Sequence, residues 1–226
     1  MIIISFHITK AFVFIVNTIG TIDELIEKKE EEFKTKIRLL GFLFNKYESD
    51  EIISFGEVFR TFNGGTFQSK YYVPYSVNKL ITIKNVDDNG FNAESVSYIS
   101  DDKADKKFLL IKGDIVLTMT GNIGRTGIVD DDNCFLNQRV LKLDCSSKSY
   151  LLGYLLKYKS DIIQLGRGTA QLNLSLEDLK QLQVHNSKEE ISRFKKYDII
   201  FSSLLNCKLT IKKAKNLKTI LLNKYF

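Results

Sequence analysis

From Ser187 to Phe226 the chain contains neither glycine nor proline, and Tyr197, Ile200, Leu204, Cys207, Ile211, Ala214, Leu221 and Tyr225 recur at mostly three- and four-residue steps. Only a helix gathers residues so spaced onto one face. A stripe of this length reads as a coiled-coil seam, with Lys218 the one position out of pattern. A second breaker-poor stretch, Thr18–Tyr47, holds only Gly20 and Gly41. It carries Ile22, Ile26, Phe33, Ile37, Leu40 and Phe44 at helical spacing over a Glu- and Lys-rich polar face. The two stretches end alike, "IRLLGFLF" at 37–44 and "TILLNKYF" at 219–226, sharing Leu39/Leu221, Leu40/Leu222 and Phe44/Phe226. That is the trace of a degenerate repeat.

Between them the pattern changes. "EIISFGEVFRTFNGG", "YYVPYSVNKLITIKNV", "SVSYIS", "FLLIKGDIVLTMTG", "RTGIVD" and "FLNQRVLKLD" are rich in Ile, Val, Tyr, Phe and Thr, and "NGG", "DDNG" and "DDDN" bound them. These are short strands joined by turns. "SYLLGYLLKYKSDIIQL" then takes helical spacing, "GRGT" turns, and "LNLSLEDLKQLQV" is a short helix capped by Ser175, with Asp178 three residues on.

The net charge of +6 is unevenly placed: +7 falls on residues 188–226, +1 on 1–47 and −2 on 48–187. A basic balance fits a nucleic-acid partner, and a terminal basic helix fits a solvated face as well. The three cysteines, Cys134, Cys145 and Cys207, are odd in number and lack CxxC spacing. Neither a disulfide framework nor a zinc site follows, and a reducing cytoplasm is expected. The start, "MIIISFHITKAFVFIV", is interrupted by Ser5, His7, Thr9 and Lys10, and no basic start or cleavage site marks a signal peptide. No membrane association is expected.

Enzyme chemistry is poorly supplied. His7 and His185 are the only histidines, no HExxH or Cys/His cluster occurs, and the carboxylates gather in turns. No catalytic residue and no metal site are expected. "TMTGNIGRTGIV", Thr118 to Val129, places glycines at 121, 124 and 127 after an apolar run. A P-loop would end in Gly-Lys-Ser/Thr and open a helix, and a dinucleotide fold needs GxGxxG. Here the spacing is GxxGxxG and β-branched residues follow, so the segment reads as a β-hairpin with a glycine turn.

In their order, these pieces resemble the specificity (S) subunit of type I restriction–modification systems. "EIISFGEVFRTFNGGTF" with "YYVPY" is similar to the opening of that family's target-recognition domain. "KGDIVLTMTGNIGRTGIV" resembles its Gly-Asp strand and glycine hairpin, "FLNQRVLKL" its Asn-Gln strand, and "GRGTAQLNLSLEDLKQLQV" its closing glycine turn and helix. A long helix follows, as at Glu190–Phe226. The departures are a single proline (Pro74), an unmatched Met1–Ile19, and one recognition domain where a complete S subunit has two.

The resemblance implies an α+β chain: a β-rich target-recognition domain flanked by two long helices that form an antiparallel coiled-coil spacer. Its parts would be an amino-terminal segment with the first helix (1–47), a DNA-binding domain (48–187) and a carboxy-terminal coiled-coil helix (188–226). The domain would stand at the tip of the helix pair. A helix of about 28 residues spans about 40 Å, roughly ten base pairs of DNA at about 3.4 Å each. Two copies, or this chain and another half-length S chain, would pair through the stripes to read a two-part site. Ile22, Ile26, Phe33, Ile37, Leu40, Ile200, Leu204, Ile211 and Leu221 are the expected helix-contact residues.

The resemblance further implies a non-catalytic subunit without its own cofactor. A methyltransferase partner would bring S-adenosylmethionine to adenine, and a restriction (translocase) subunit would bring ATP and Mg. The sequence agrees, because one proline cannot make the Asn/Asp-Pro-Pro-aromatic motif of adenine methyltransferases. Base reading needs paired donors and acceptors on exposed loops. That chemistry selects Gly64, Gly65, Thr66, Gln68, Lys70 and Tyr72; Asn122 and Arg125; Asn137, Gln138 and Arg139; and Arg167, Thr169 and Gln171. Each also has a local use, since Asn and Gln pair with turn backbone and Arg faces water. Two alternatives stand: a decayed or recombination-cassette half of an S gene, and an unrelated coiled-coil interaction protein with a β-rich domain.

Overall fold

The breaker-poor start of the chain forms one helix, α1 (Ile2–Asn45), reaching further back than the Thr18–Tyr47 spacing predicts. No proline or glycine precedes Gly20 to stop it. A Cβ at Gly20 would meet nothing within 4 Å, so that glycine costs only its helix propensity. The structure is a computed structural model that describes residues 2–46, 51–168, 171–185 and 188–225. The chain divides into two units, one made of the segment up to Leu39 and the segment from Ser203, the other of Leu40–Ser202.

In the first unit α1 lies against the last helix, which spans Asp198–Tyr225. Asp23 bonds to Lys218, Glu30 to Lys215, and Lys36 approaches Cys207 at 3.9 Å. One number falls as the other rises, so the pair is antiparallel, as expected. Ile22, Leu204, Cys207 and Ala214 are buried in the seam, and Ile26, Phe33, Ile37, Ile211 and Leu221 are half-buried. The two stripes therefore mate within one chain. The basic excess of the last helix is in part matched by α1's carboxylates rather than left wholly to solvent. Within α1, Glu32 accepts from Lys29 at 2.6 Å and from Lys36, and these bonds hold its carboxyl down at about 2.

The second unit continues with β1 (Ile52–Ser54), α2 (Phe55–Val58), β2 (Arg60–Asn63), β3 (Tyr72–Val73), β4 (Lys79–Ile81), β5 (Val86–Asp87), β6 (Gly90–Phe91), β7 (Ser97–Ile99) and β8 (Leu109–Leu110). There follow β9 (Ile115–Thr118), β10 (Thr126–Ile128), β11 (Cys134–Leu136), β12 (Val140–Asp144), α3 (Lys148–Lys157), α4 (Lys159–Gln164), α5 (Leu176–Gln181), β13 (Gln183–His185), α6 (Lys188–Phe194) and α7 (Asp198–Tyr225). One sheet has the order β10-β9-β12-β2, all antiparallel. The other has the order β3-β7-β4-β11-β8, with β4 and β11 parallel. β1 pairs with β13 and β5 with β6.

The two sheets share a core: Ile81, Leu110, Cys134 and Leu136 from one meet Val116 and Val140 from the other. Alternation along the same strands sends Leu80, Ile99 and Phe135 to the opposite face, under Phe67, Tyr72 and Phe108. A third cluster is aromatic. Phe44, Phe55, Phe59, Tyr150, Tyr154 and Phe194 are buried, with Phe44 5.1 Å from Tyr150 and 5.7 Å from Phe194, ring centre to ring centre.

The expected continuous helix from Glu190 is instead α6, a 3-10 turn at Lys195–Tyr197, and α7. Tertiary bonds coincide with the break. Asp198 accepts from the Ser147 hydroxyl (2.8 Å) and the Ser149 amide (2.9 Å), while the Ser149 hydroxyl donates to the Tyr197 carbonyl (2.7 Å). The short helix near 176 is as expected: the Ser175 hydroxyl accepts from the amides of Glu177 and Asp178.

Candidate nucleic-acid interface

The strand ends of the four-stranded sheet set up an edge of loops. β2 runs into Gly64 and Gly65, and the chain there lies on Asn137: Gly65 N–H donates to Leu136 O (2.8 Å) and Gln138 N–H to Gly65 O (2.9 Å). A Cβ on Gly64 would fall 2.2 Å from the Asn137 carbonyl, so the approach requires glycine. The Thr66 hydroxyl donates to Gln138 Oε1 at 2.6 Å. Asn137 is buried and its Oδ1 accepts from the Arg139 amide at 3.3 Å, while Gln138 and Arg139 are exposed.

The hairpin β9–β10 joins this edge through backbone. Met119 N–H donates to Arg139 O (3.0 Å), Gly121 N–H to Leu172 O (2.8 Å), and Leu174 N–H to Met119 O (2.8 Å). Asn173 and Arg167 exchange N–H···O bonds of 2.9 and 2.8 Å, closing the second glycine turn, where Gly168 has φ +126°. Three sequence-predicted groups thus meet in one run of loops, together with Gly64–Thr66 of the fourth. The rest of that fourth group lies elsewhere. Tyr72 packs half-buried in β3, Lys70 sits 4.9 Å from the centre of the Tyr71 ring, and Gln68 is exposed in the turn before them. Thr169 falls outside the described residues.

The hairpin is as predicted in kind, and β10, not a helix, follows the glycines, which removes the phosphate-loop geometry. Gly121 (φ +72°) and Gly124 (φ +82°) take the left-handed turn positions. Gly127 does not turn; a Cβ there would meet Phe91 at 2.8 Å, so close packing requires it. The Thr118 hydroxyl accepts the Arg125 amide (3.1 Å) and donates to Asn122 O, tying the tip to its own strand.

The tip presents the exposed side chain of Asn122. Arg125 bonds to Asp88, and Arg167, largely exposed, reaches Asp178 at 3.2 Å. Gln171 is exposed beside Gly121. Arg125 holds the Asp88 carboxyl below the usual carboxylate range, with Lys159 adding to the effect. Asp88 and Lys159 were not singled out from sequence: "DDNG" reads only as a turn, and nothing local ties it to Arg125.

Among the described residues no group of His, Cys, Asp and Glu is placed to hold a metal ion, and no helix is long and apolar enough to cross a membrane. The three cysteines are buried and unpaired with one another.

Residues 47–220 match the family of the type I restriction modification DNA specificity domain. The chain belongs to that family. Type I specificity domains recognise DNA and leave catalysis to other subunits. A solved structure of a type I specificity subunit from M. genitalium aligns over 97% of this chain with a TM-score of 0.59 at 14% identity. A second, described as the structural basis of complex assembly and conformational transition of the type I restriction–modification system, aligns over 95% with a TM-score of 0.53, also at 14% identity. At those identities the likeness is one of fold. This specificity chain spans 60% and 57% of those two chains. No curated protein matches it.

Proposed function

We propose that this chain is a half-length specificity subunit that reads one half of a two-part DNA site. The observation that carries this reading is the shared edge, where Thr66, Asn122, Gln138, Arg139, Arg167 and Gln171 come from four separate segments onto neighbouring loops. Exposed Arg, Asn and Gln are the side chains that discriminate base edges, and backbone-tied loops hold them at low entropic cost.

On this reading the subunit works in the cytoplasm and directs an adenine methyltransferase partner, which carries S-adenosylmethionine, and a restriction subunit that consumes ATP with Mg. It needs no cofactor of its own. Two copies, or this chain and another half, supply the two readers of a complete subunit. Since the helix stripes face each other inside the chain, copies would associate through the outer faces, where Leu25, Leu39, Leu217 and Ile220 are exposed.

The test is co-expression with a type I adenine methyltransferase subunit, followed by mapping of adenine methylation and light scattering of the complex. Methylation at one bipartite sequence, by a complex containing two copies, is expected. Methylation no different from that of the methyltransferase alone overturns the DNA-reading function, and a single copy per complex overturns the pairing.

A further inference from the structure

Arg125 leaves the hairpin directly after its tip, and its guanidinium is already held. Nε donates to Asp88 Oδ1 at 3.2 Å and Nη2 donates to Oδ2 at 2.7 Å, a two-point grip on one side of the planar fork. Nη1 has no partner among the described residues. Asp88 comes from the turn between β5 and β6, whose Phe91 packs against Gly127 of the same hairpin. Lys159, from α4, stands 3.7 Å from the same carboxylate. Three segments therefore converge on a group of net charge +1.

This geometry has a specific chemical use. An arginine gripped at Nε and one Nη still presents its outer Nη edge as a pair of parallel donors. In the DNA major groove, guanine is the base that answers such a pair with two acceptors, O6 and N7. A free arginine loses rotamer freedom when it docks, whereas one fixed by a carboxylate has lost it already. Lys159 offsets the Asp88 charge, which would otherwise repel the phosphates. A phosphate contact would need positive charge alone and not a held fork.

We propose that Arg125 reads a guanine in the recognised half-site and that Asp88 and Lys159 are its positioning residues. The assignment rests on the DNA-reading function proposed above. It is tested with the full chain co-expressed with the same methyltransferase subunit, by sequencing the methylated sites of wild type, R125K, R125Q, D88N and R125Q/D88N. Melting temperatures run alongside; R125K and D88N, the mildest changes at partly exposed positions, keep the fold.

The expected result is confined to one position of the motif. Its preference for G falls by about tenfold or more in R125K and R125Q. D88N shifts the same position less, and the double variant is no broader than R125Q. A wild-type motif retained in R125K shows that charge alone suffices and overturns the proposal, as does methylation lost evenly across an unchanged motif in every variant. Absence of sequence-specific methylation by the wild type is a separate outcome: it overturns the DNA-reading function and the assignment with it.

Discussion

Lys218 donates to both carboxylate oxygens of Asp23, at 2.6 and 2.7 Å, across the two antiparallel helices. Lys218 is the residue that interrupts the apolar spacing of α7, and the bond accounts for the interruption: a charged seam position is met by an opposite charge from α1. K218E sets two carboxylates against each other, and the double variant D23K/K218E restores attraction. Both groups are partly exposed, so the expected loss in K218E is about 1 kcal/mol or less. Thermal melts followed by circular dichroism should show it, with most of the loss recovered in the double variant.

Glu32 gives the helix pair a pH dependence with a defined sign. Its carboxyl, ordinarily near 4.5, is held down at about 2 by its bonds to Lys29 and Lys36. The unfolded chain therefore binds the proton more readily. The contribution is present in full above the unfolded value and is lost as pH falls toward the folded one. The melting-temperature difference between wild type and E32Q should be constant above about pH 5, shrink below about pH 4.5 and close near about pH 2.

Two glycine-to-alanine changes should act in opposite directions. At Gly20, inside α1, the new methyl meets open space, so the variant gains helix propensity and stability by about 0.5–1 kcal/mol. At Gly64 it falls 2.2 Å from the Asn137 carbonyl carbon and oxygen, which are backbone atoms in a tied loop. The loop must shift, at a cost of about 1–3 kcal/mol. Melting and methylation assays should show G20A stabilised with the wild-type motif, and G64A destabilised with methylation reduced.

The long helices and the hairpin were legible because they depend on local rules: spacing, breakers and positive-φ glycines. Where the reading stopped short, the cause lies in contacts between distant segments. Gly127 reads as a turn glycine, yet it is required by Phe91 packing on it from another hairpin. The break between α6 and α7 carries no glycine or proline, and coincides with bonds from Asp198 and Tyr197 to Ser147 and Ser149. The candidate reading residues could be chosen by side-chain chemistry. That Gly64–Thr66, Asn137–Arg139, Met119–Gly121 and Arg167–Leu174 would adjoin could not, because strand order decides it. Asp88 was invisible for the same reason.

Asp114, in the segment that resembles the family's Gly-Asp strand, has structural partners on both sides. It is buried at the entry to β9, accepts the Ile111 amide at 3.0 Å, and pairs with Lys142 of β12 at 2.8 Å. The Asp114 side chain is 5% exposed and that of Lys142 22%, so removing the carboxylate leaves a half-buried ammonium and an unmet amide. D114A should cost about 3 kcal/mol. D114N keeps an acceptor for Ile111 and should cost less. In D114A/K142M the stranded charge is gone, so most of the loss should return. Asp114 precedes β9, whereas Met119 and Gly121 follow it, so a strand's length separates this pair from the candidate interface. The variants should lower the melting temperature while leaving the methylated sequence unchanged; a changed motif in D114N would place Asp114 in recognition instead.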